Sequence, residues 1–294
     1  MSFTNWLRNI RSALARGQME RNHPRRPPGR TRTTRRLCLE PLEDRMLLSY
    51  TFTPIADTSL GSPYSGLVVG QAINDHGQVA LVAVLKSGGQ AIYRTEDDGR
   101  LTTIAQTDGL IRNFYLSPYM NDSGTVSFGA NLTDGRQAVF TGRGEALTRI
   151  ADTEPSSPFA TIPLPAQRMD QDGVVYFRAT LRSGPTGFFA GDGGPTRTVY
   201  VTGGQFSAFP SSYAHQVNGD GGSFRAKLTG GPDGVLFGDG LQTDTLVTAG
   251  GTYSSFFGAE CNDDGTVAIS ANLAAGGQVL LVASDGTLTP FVDT

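Results

Sequence analysis

A short box of the form Asn/Asp-x-x-Gly recurs five times at nearly constant spacing, and no other feature of the sequence limits the fold as much. The copies are Asn74-Asp75-His76-Gly77, Asn121-Asp122-Ser123-Gly124, Asp170-Gln171-Asp172-Gly173, Asn218-Gly219-Asp220-Gly221 and Asn262-Asp263-Asp264-Gly265, with first residues 47, 49, 48 and 44 apart. Each box runs into an alternating segment that closes on Ala-x-Leu, at Ala83/Leu85, Ala130/Leu132, Ala179/Leu181, Ala226/Leu228 and Ala271/Leu273. A glycine-containing turn follows, then a short apolar run (QAIYR, QAVFT, TGFFA, GVLFG, QVLLV) and a closing run (LTTIAQT, LTRIADT, RTVYVTG, DTLVTAG, LTPFVDT). A sixth copy of the closing run, YTFTPIADT, stands at residues 50–58 before the first box.

One unit has a direct physical reading. The box predicts a tight turn: Gly adopts positive φ without a Cβ penalty, and the Asn or Asp side chain bonds its own backbone. The flanking segments alternate, or are β-branched and aromatic over a few residues, which reads as strand. Four short strands in a repeat of about 40–50 residues match a propeller blade. A single blade cannot bury both of its faces, so blades must stack on one another. The expected fold class is therefore all-β: a β-propeller-like tandem repeat of five four-stranded units over residues 50–294, with units near 55–103, 104–149, 150–198, 199–245 and 246–290. A closed five-bladed ring is the favoured arrangement. An open array also fits, and would leave sheet edges to be protected.

Composition agrees and removes other classes. Glycine contributes 38 of 294 residues, well above the usual share of about 7%. Two cysteines rule out a disulfide-stapled miniprotein, and no apolar run reaches the length of about 18 residues that a membrane helix needs. Charge is split: residues 1–49 hold 11 Arg against 4 acids, whereas the remainder holds 13 Lys and Arg against 23 acids. An acidic body does not favour a phosphate backbone, so no nucleic-acid partner is expected there, and the Arg arm carries that reading as an alternative.

The basic leader (residues 1–49) has three parts. Phe3, Trp6, Leu7, Ile10 and Leu14 recur at helical spacing among arginines, predicting a short basic amphipathic helix. Residues 23–36 are rich in Arg and Pro and are expected to be disordered. The third part, Leu39-Glu40-Pro41-Leu42-Glu43-Asp44-Arg45-Met46-Leu47-Leu48-Ser49, resembles the Leu-Glu-x-Leu-Glu-Asp-Arg-x-Leu-Leu-Ser motif of exported planctomycete proteins. That resemblance implies export to the cell envelope or beyond, although the apolar stretch of an ordinary signal peptide is missing. The body resembles the tandem repeats with Asn-x-x-Gly-x-Val-x-Phe followed by Ala-x-Leu, called choice-of-anchor repeats, best matched by the second copy from Asn121 to Phe128. It implies a secreted β-propeller-type module and no particular reaction.

Signals for chemistry are sparse. The boxes at 170–173, 218–221 and 262–265 look like fragments of a calcium loop, yet each offers at most two carboxylates where Ca²⁺ takes about 6–8 oxygens. Turn chemistry accounts for all five, so no cofactor is expected, with calcium at the boxes as the alternative. His23, His76 and His215 are scattered, Cys261 reads as a small buried hydrophobe, and no Gly-x-Ser-x-Gly elbow occurs. Glu96, Asp97, Asp98 and Glu260 are the loop carboxylates that a glycan- or lactone-directed hydrolase could use. Aromatic, hydroxyl-rich segments between units recur at one phase, placing Tyr64, Tyr115, Tyr119, Phe159, Phe209, Tyr213, Tyr253 and Phe256 as candidates for a ligand face. The expected function is that of a non-enzymatic, exported, monomeric binding or structural module at the cell envelope or outside the cell, with a carbohydrate or protein surface as its ligand. A propeller hydrolase using the loop carboxylates and nucleic-acid binding through the Arg arm are the alternatives.

Overall fold

The computed structural model describes residues 52–294 except 69, 116, 164–166, 211–215, 219–220, 263 and 294, together with the backbone but not the side chains of 216–218 and 292–293. The leader lies outside the described residues. Residues 53–294 form one compact unit.

The first sheet contains β1 (Tyr64–Leu67), β2 (Ala72–Ile73), β3 (Val79–Leu85), β4 (Gln90–Thr95) and β5 (Leu101–Gln106). The second contains β6 (Ile111–Phe114), β7 (Tyr119–Met120), β8 (Val126–Leu132), β9 (Gln137–Gly142) and β10 (Thr148–Asp152). In the third are β11 (Phe159–Thr161), β12 (Gln167–Met169), β13 (Val175–Leu181), β14 (Thr186–Gly191) and β15 (Arg197–Val201). The fourth holds β16 (Phe206–Ala208), β17 (Gln216–Asn218), β18 (Gly221–Leu228), β19 (Asp233–Gly238) and β20 (Thr243–Thr248). The fifth is β21 (Tyr253–Cys261), β22 (Val267–Leu273), β23 (Gln278–Ser284) and β24 (Thr287–Asp293). Every ladder is antiparallel and every sheet runs in chain order.

Each sheet is thus a four-stranded meander, or blade, with strands a to d. In four blades strand a is split into two short pieces that both pair with strand b. These split strands are the aromatic segments that the sequence presents as inter-unit loops. Each blade consequently starts on its own strand a, between the preceding closing run and the box.

Side chains from facing blades fill four apolar cores. The first joins Val82, Ile92 and Ile104 to Phe114, Phe128 and Phe140. Others join Val139 and Ile150 to Phe159 and Phe177, then Phe188 and Tyr200 to Phe206 and Phe224, then Val235 to Phe256 and Ile269. Among the described residues, no core joins the fifth blade to the first. Among the described residues outside the blade, Ala56 packs on the first blade's outer face, in a cluster with Tyr64, Leu81 and Ala83. Among the described residues, the fifth-to-first core that a closed ring would have is not seen, and Ala56 occupies part of the face that such a core would use.

The Ala of each Ala-x-Leu segment is fully buried at 83, 130, 179, 226 and 271, where a small side chain lets neighbouring sheets approach. Phe128 is fully buried, edge-on to Phe114 at 5.4 Å and stacked on Phe140 at 5.7 Å. Phe128→Ala should lower the unfolding free energy by about 3–5 kcal/mol. Phe291→Ser, at a residue 69% exposed, should change it by about 0.5 kcal/mol or less. Urea unfolding of both variants measures the contrast.

Candidate functional site

The boxes fold as their composition dictates. In four of them the Gly N–H donates to the first residue's carbonyl at 3.0–3.2 Å, and Gly77, Gly124, Gly173 and Gly265 take φ of 75–87°. The side-chain oxygen of Asn74, Asn121, Asp170 or Asn262 accepts the N–H four residues on, at 2.9–3.0 Å. The fourth copy differs: Asn218 pairs directly with Gly221, whose φ is 142°.

The boxes also link blades. Asn74 Nδ2 donates to the Asn121 carbonyl and Asn121 Nδ2 to the Gln171 carbonyl, both at 3.2 Å. Beside these, the Asp75 N–H reaches Asp122 Oδ1 and the Asp122 N–H reaches Gln171 Oε1, both at 2.9 Å. Arg94, buried and paired with Glu96 at 2.7 Å, adds a bond from Nη1 to the Gly124 carbonyl at 2.5 Å. Strands β2, β7, β12, β17 and β21 therefore lie against one another in series.

Strand alternation sets what these inner strands present. One residue before the box, Met120, Met169 and Cys261 pack into the cores between blades. Two residues before it stand Ala72, Tyr119, Arg168, Gln216 and Glu260. The Arg168 guanidinium lies over the Tyr119 ring, 4.2 Å from its centroid. Burial pushes the Tyr119 hydroxyl's pKa up, Arg168 opposes that shift, and Glu260 of the fifth blade adds to it. Tyr119 and Arg168 thus come together from two blades, and the charge of Glu260 on a third acts on the same hydroxyl. Buried Gln167 holds the floor, donating from Nε2 to the Ser117 carbonyl at 3.0 Å, and Arg168 Nη1 donates to the Gln167 carbonyl at 3.1 Å.

Among the described residues, the seven aromatic candidates other than Tyr213 do not form a ring on one face. Phe159, Phe209 and Phe256 are buried in the cores, and Tyr64 is buried against Tyr93 at 5.6 Å. Tyr253 is half-buried near Phe256, and the Tyr115 hydroxyl accepts from Asn131 Nδ2 at 3.0 Å. Tyr213 lies outside the described residues, as does His215. Only Tyr119 of those described reaches the axial cluster. The physical reason is that a shared phase along a strand aims residues at the interface between sheets as readily as at solvent. Arg168 was missed; its fixed offset of two residues from the box was the available signal.

The candidate carboxylates are dispersed. Glu96 is lowered in pKa by Thr102 and Arg94, and Asp98 by its bonds to Arg100. Asp97 and His76 are exposed in turns, whereas Glu260 is exposed at the axis. Among the described residues no group of three or more His, Cys, Asp and Glu is arranged to hold a metal. Burial raises the Cys261 thiol's pKa. Among these residues no helix is long and apolar enough to cross a membrane.

Asp170 stands where two neighbouring boxes have Asn. It is buried, and desolvation raises its pKa above the ordinary 3.8. A carboxyl with a raised folded-state pKa contributes stability fully below its unfolded value and loses it as pH rises through the folded one. Asp170→Asn should therefore raise Tm at pH 7, and the gain should narrow as pH falls towards about 3. Thermal scans of both proteins across that range read the difference.

Together these features define an all-β, propeller-like repeat protein whose blades present differing side chains on a common inner strand. The sequence matches the profile of a family of unknown function, DUF7453, over residues 56–289, and the chain belongs to that family. No curated protein matches it. Among solved structures it is similar to the acylaminoacyl peptidase of Pyrococcus horikoshii, with a TM-score of 0.53 and 12% identity over 77% of this chain. The chain spans 39% of that peptidase, and the likeness concerns the fold alone. Weaker likenesses are to an oligogalacturonate lyase (TM-score 0.47, 10% identity, 79% of this chain and 66% of that one) and to the β-propeller domain of the Trilobed protease from Pyrococcus furiosus (0.37, 12%, 77% and 81%).

Proposed function

We propose that the protein is an exported, non-enzymatic binding module that holds a carbohydrate at the axial cluster of Tyr119, Arg168 and Glu260. The observation that carries this reading is the Arg168 guanidinium stacked 4.2 Å over the Tyr119 ring, and the exposed Glu260, whose charge acts on the Tyr119 hydroxyl, supports it. A guanidinium presents a rigid fork of donors and a carboxylate only acceptors, so together they match the paired hydroxyls of a sugar ring. The stack limits Arg168 to few orientations, which reduces the ordering cost of binding. Supporting the choice of class, the cluster combines an aromatic surface with charged hydrogen-bonding groups and lacks the broad apolar patch of a protein interface.

An oligosaccharide array probed with the full-length protein tests it. Tyr119→Ala, Arg168→Ala and Glu260→Gln should each weaken the best-bound glycan by about tenfold or more, with Tm unchanged. Wild-type affinity in all three variants would remove the site, and binding to an envelope protein but not to glycans would change the class.

Export belongs to the same proposal and rests on the leader motif at residues 39–49. Protein taken from the envelope or medium of its native cell should have an intact mass short of roughly the first 50 residues. A full-length cytosolic form would return the Arg arm to consideration as the working part.

A further inference from the structure

We infer that residues 52–58 are the outer strand of an incomplete blade, and that the first blade's outer face is a docking surface for a three-stranded antiparallel sheet of this chain's own repeat type. The seating of Ala56 and Asp57, at the end of this segment, matches that of Ala151 and Asp152 at the end of β10 bond by bond. Asp57 Oδ1 accepts the Ser59 N–H at 2.7 Å as Asp152 Oδ1 accepts that of Glu154 at 2.8 Å. Ser62 Oγ donates to the Asp57 carbonyl and accepts the Tyr64 N–H; Ser157 Oγ does the same for Asp152 and Phe159. Lys86 Nζ reaches the carbonyls of Ser59 and Ser62, and Arg182 those of Glu154 and Ser157. Ala56 packs on Tyr64 and Ala83 as Ala151 packs on Phe159 and Ala179. The segment is therefore seated as a strand d, yet it pairs with no strand c among the described residues. Pro54 is no obstacle, since Pro290 stands in the matching position within β24.

Features that close each blade on itself and fasten it to its neighbour recur at residues 56–58 and on the first blade without counterparts among the described residues. In three blades the N–H that starts strand c donates to the hydroxyl of a Thr ending strand d, at Gln90–Thr107, Gln137–Thr153 and Thr186–Thr202. Thr58 is the corresponding Thr. The Gln opening strand c also accepts an N–H from the next blade's strand a, at Gln90–Phe114 and Gln137–Ile162. Leu67, paired with Ala83 as Phe114 is with Ala130, is the corresponding residue. Phe114 is 3% exposed and Leu67 42%. Ile73 is 70% exposed, while Met120 and Met169, its equivalents, pack into the cores. The exposed Asp75 carboxylate matches Asp122 Oδ1, which accepts a box N–H from the preceding blade.

The occupant follows from these counterparts. It supplies a strand c opening on Gln, a strand b with Ala at the close contact, and a strand a ending in an Asn-x-x-Gly box. The four filled interfaces of this chain are its template.

A copy of residues 111–142, the first three strands of the second blade, appended by a flexible linker to the full-length chain, supplies the probe. Hydrogen exchange at Leu67 and at residues 55–58 should slow by about tenfold or more, and Tm should rise. Leu67→Arg in the same protein should reverse both. A synthetic peptide of residues 136–143, added to the unmodified chain, should slow exchange at residues 55–58 saturably, and Thr58→Val should weaken that effect. Unchanged exchange at these sites with both probes would overturn the inference. So would concentration-dependent protection of the unmodified chain alone, which would make a second copy the occupant, or loss of protection on deleting residues 1–51 from a chain already protected there, which would make the leader the occupant.

Discussion

Apolar contact between successive sheets is the interaction on which the rest of this molecule depends. Each blade carries apolar side chains on both faces, so none can bury its surface alone, and stability is distributed over nearest-neighbour interfaces. Phe114, Phe128 and Phe140 form one such layer, Phe159, Phe177 and Phe189 the next, and Phe206, Phe224 and Tyr200 the third. Burying one such side chain contributes about 1.5–3 kcal/mol, against about 1 kcal/mol for a typical hydrogen bond. Packing therefore supplies most of the cohesion. The hydrogen bonds that cross between blades set register.

That division separates scaffold from variable surface. The box needs its first side chain for the turn and, at Asn74 and Asn121, for the bond to the next blade; its last residue must accept positive φ. Two residues upstream, none of these turn duties falls on the side chain, although Ala72 packs against the first core. Ala72, Tyr119, Arg168, Gln216 and Glu260 accordingly differ in every chemical respect while the box around them repeats. A surface assembled from such positions can change its ligand without disturbing the fold, as is general where function is grafted on a repeating scaffold.

The same logic explains which parts of the sequence could be read directly. The box, the Ala-x-Leu strand and the two strands after it are local patterns with local causes, and they appear in the structure where the pattern puts them. Strand a was taken for a loop because its alternation breaks. Register shifts fall between Ile111 and Asn113 and between Phe159 and Thr161, and Pro118 and Pro163 stand beside the breaks. Phe159, Phe209 and Phe256 were consequently read as surface when each is held inside a core. The copy of the closing strand at residues 50–58 is legible in the sequence, but only the hydrogen bonds of Asp57 and Ser62 show that its end is seated like the end of β10.

Repeat length, turn chemistry and strand order are thus properties of the chain taken a few residues at a time, because backbone sterics and period-two alternation act over that range. Which blades meet, and whether the last reaches the first, depends on how interface angles and side-chain volumes accumulate over five sheets. The meeting of Tyr119 and Arg168 depends on it too, since the two stand on different blades, 49 positions apart. No local rule carries that sum, so only the tertiary structure decided it.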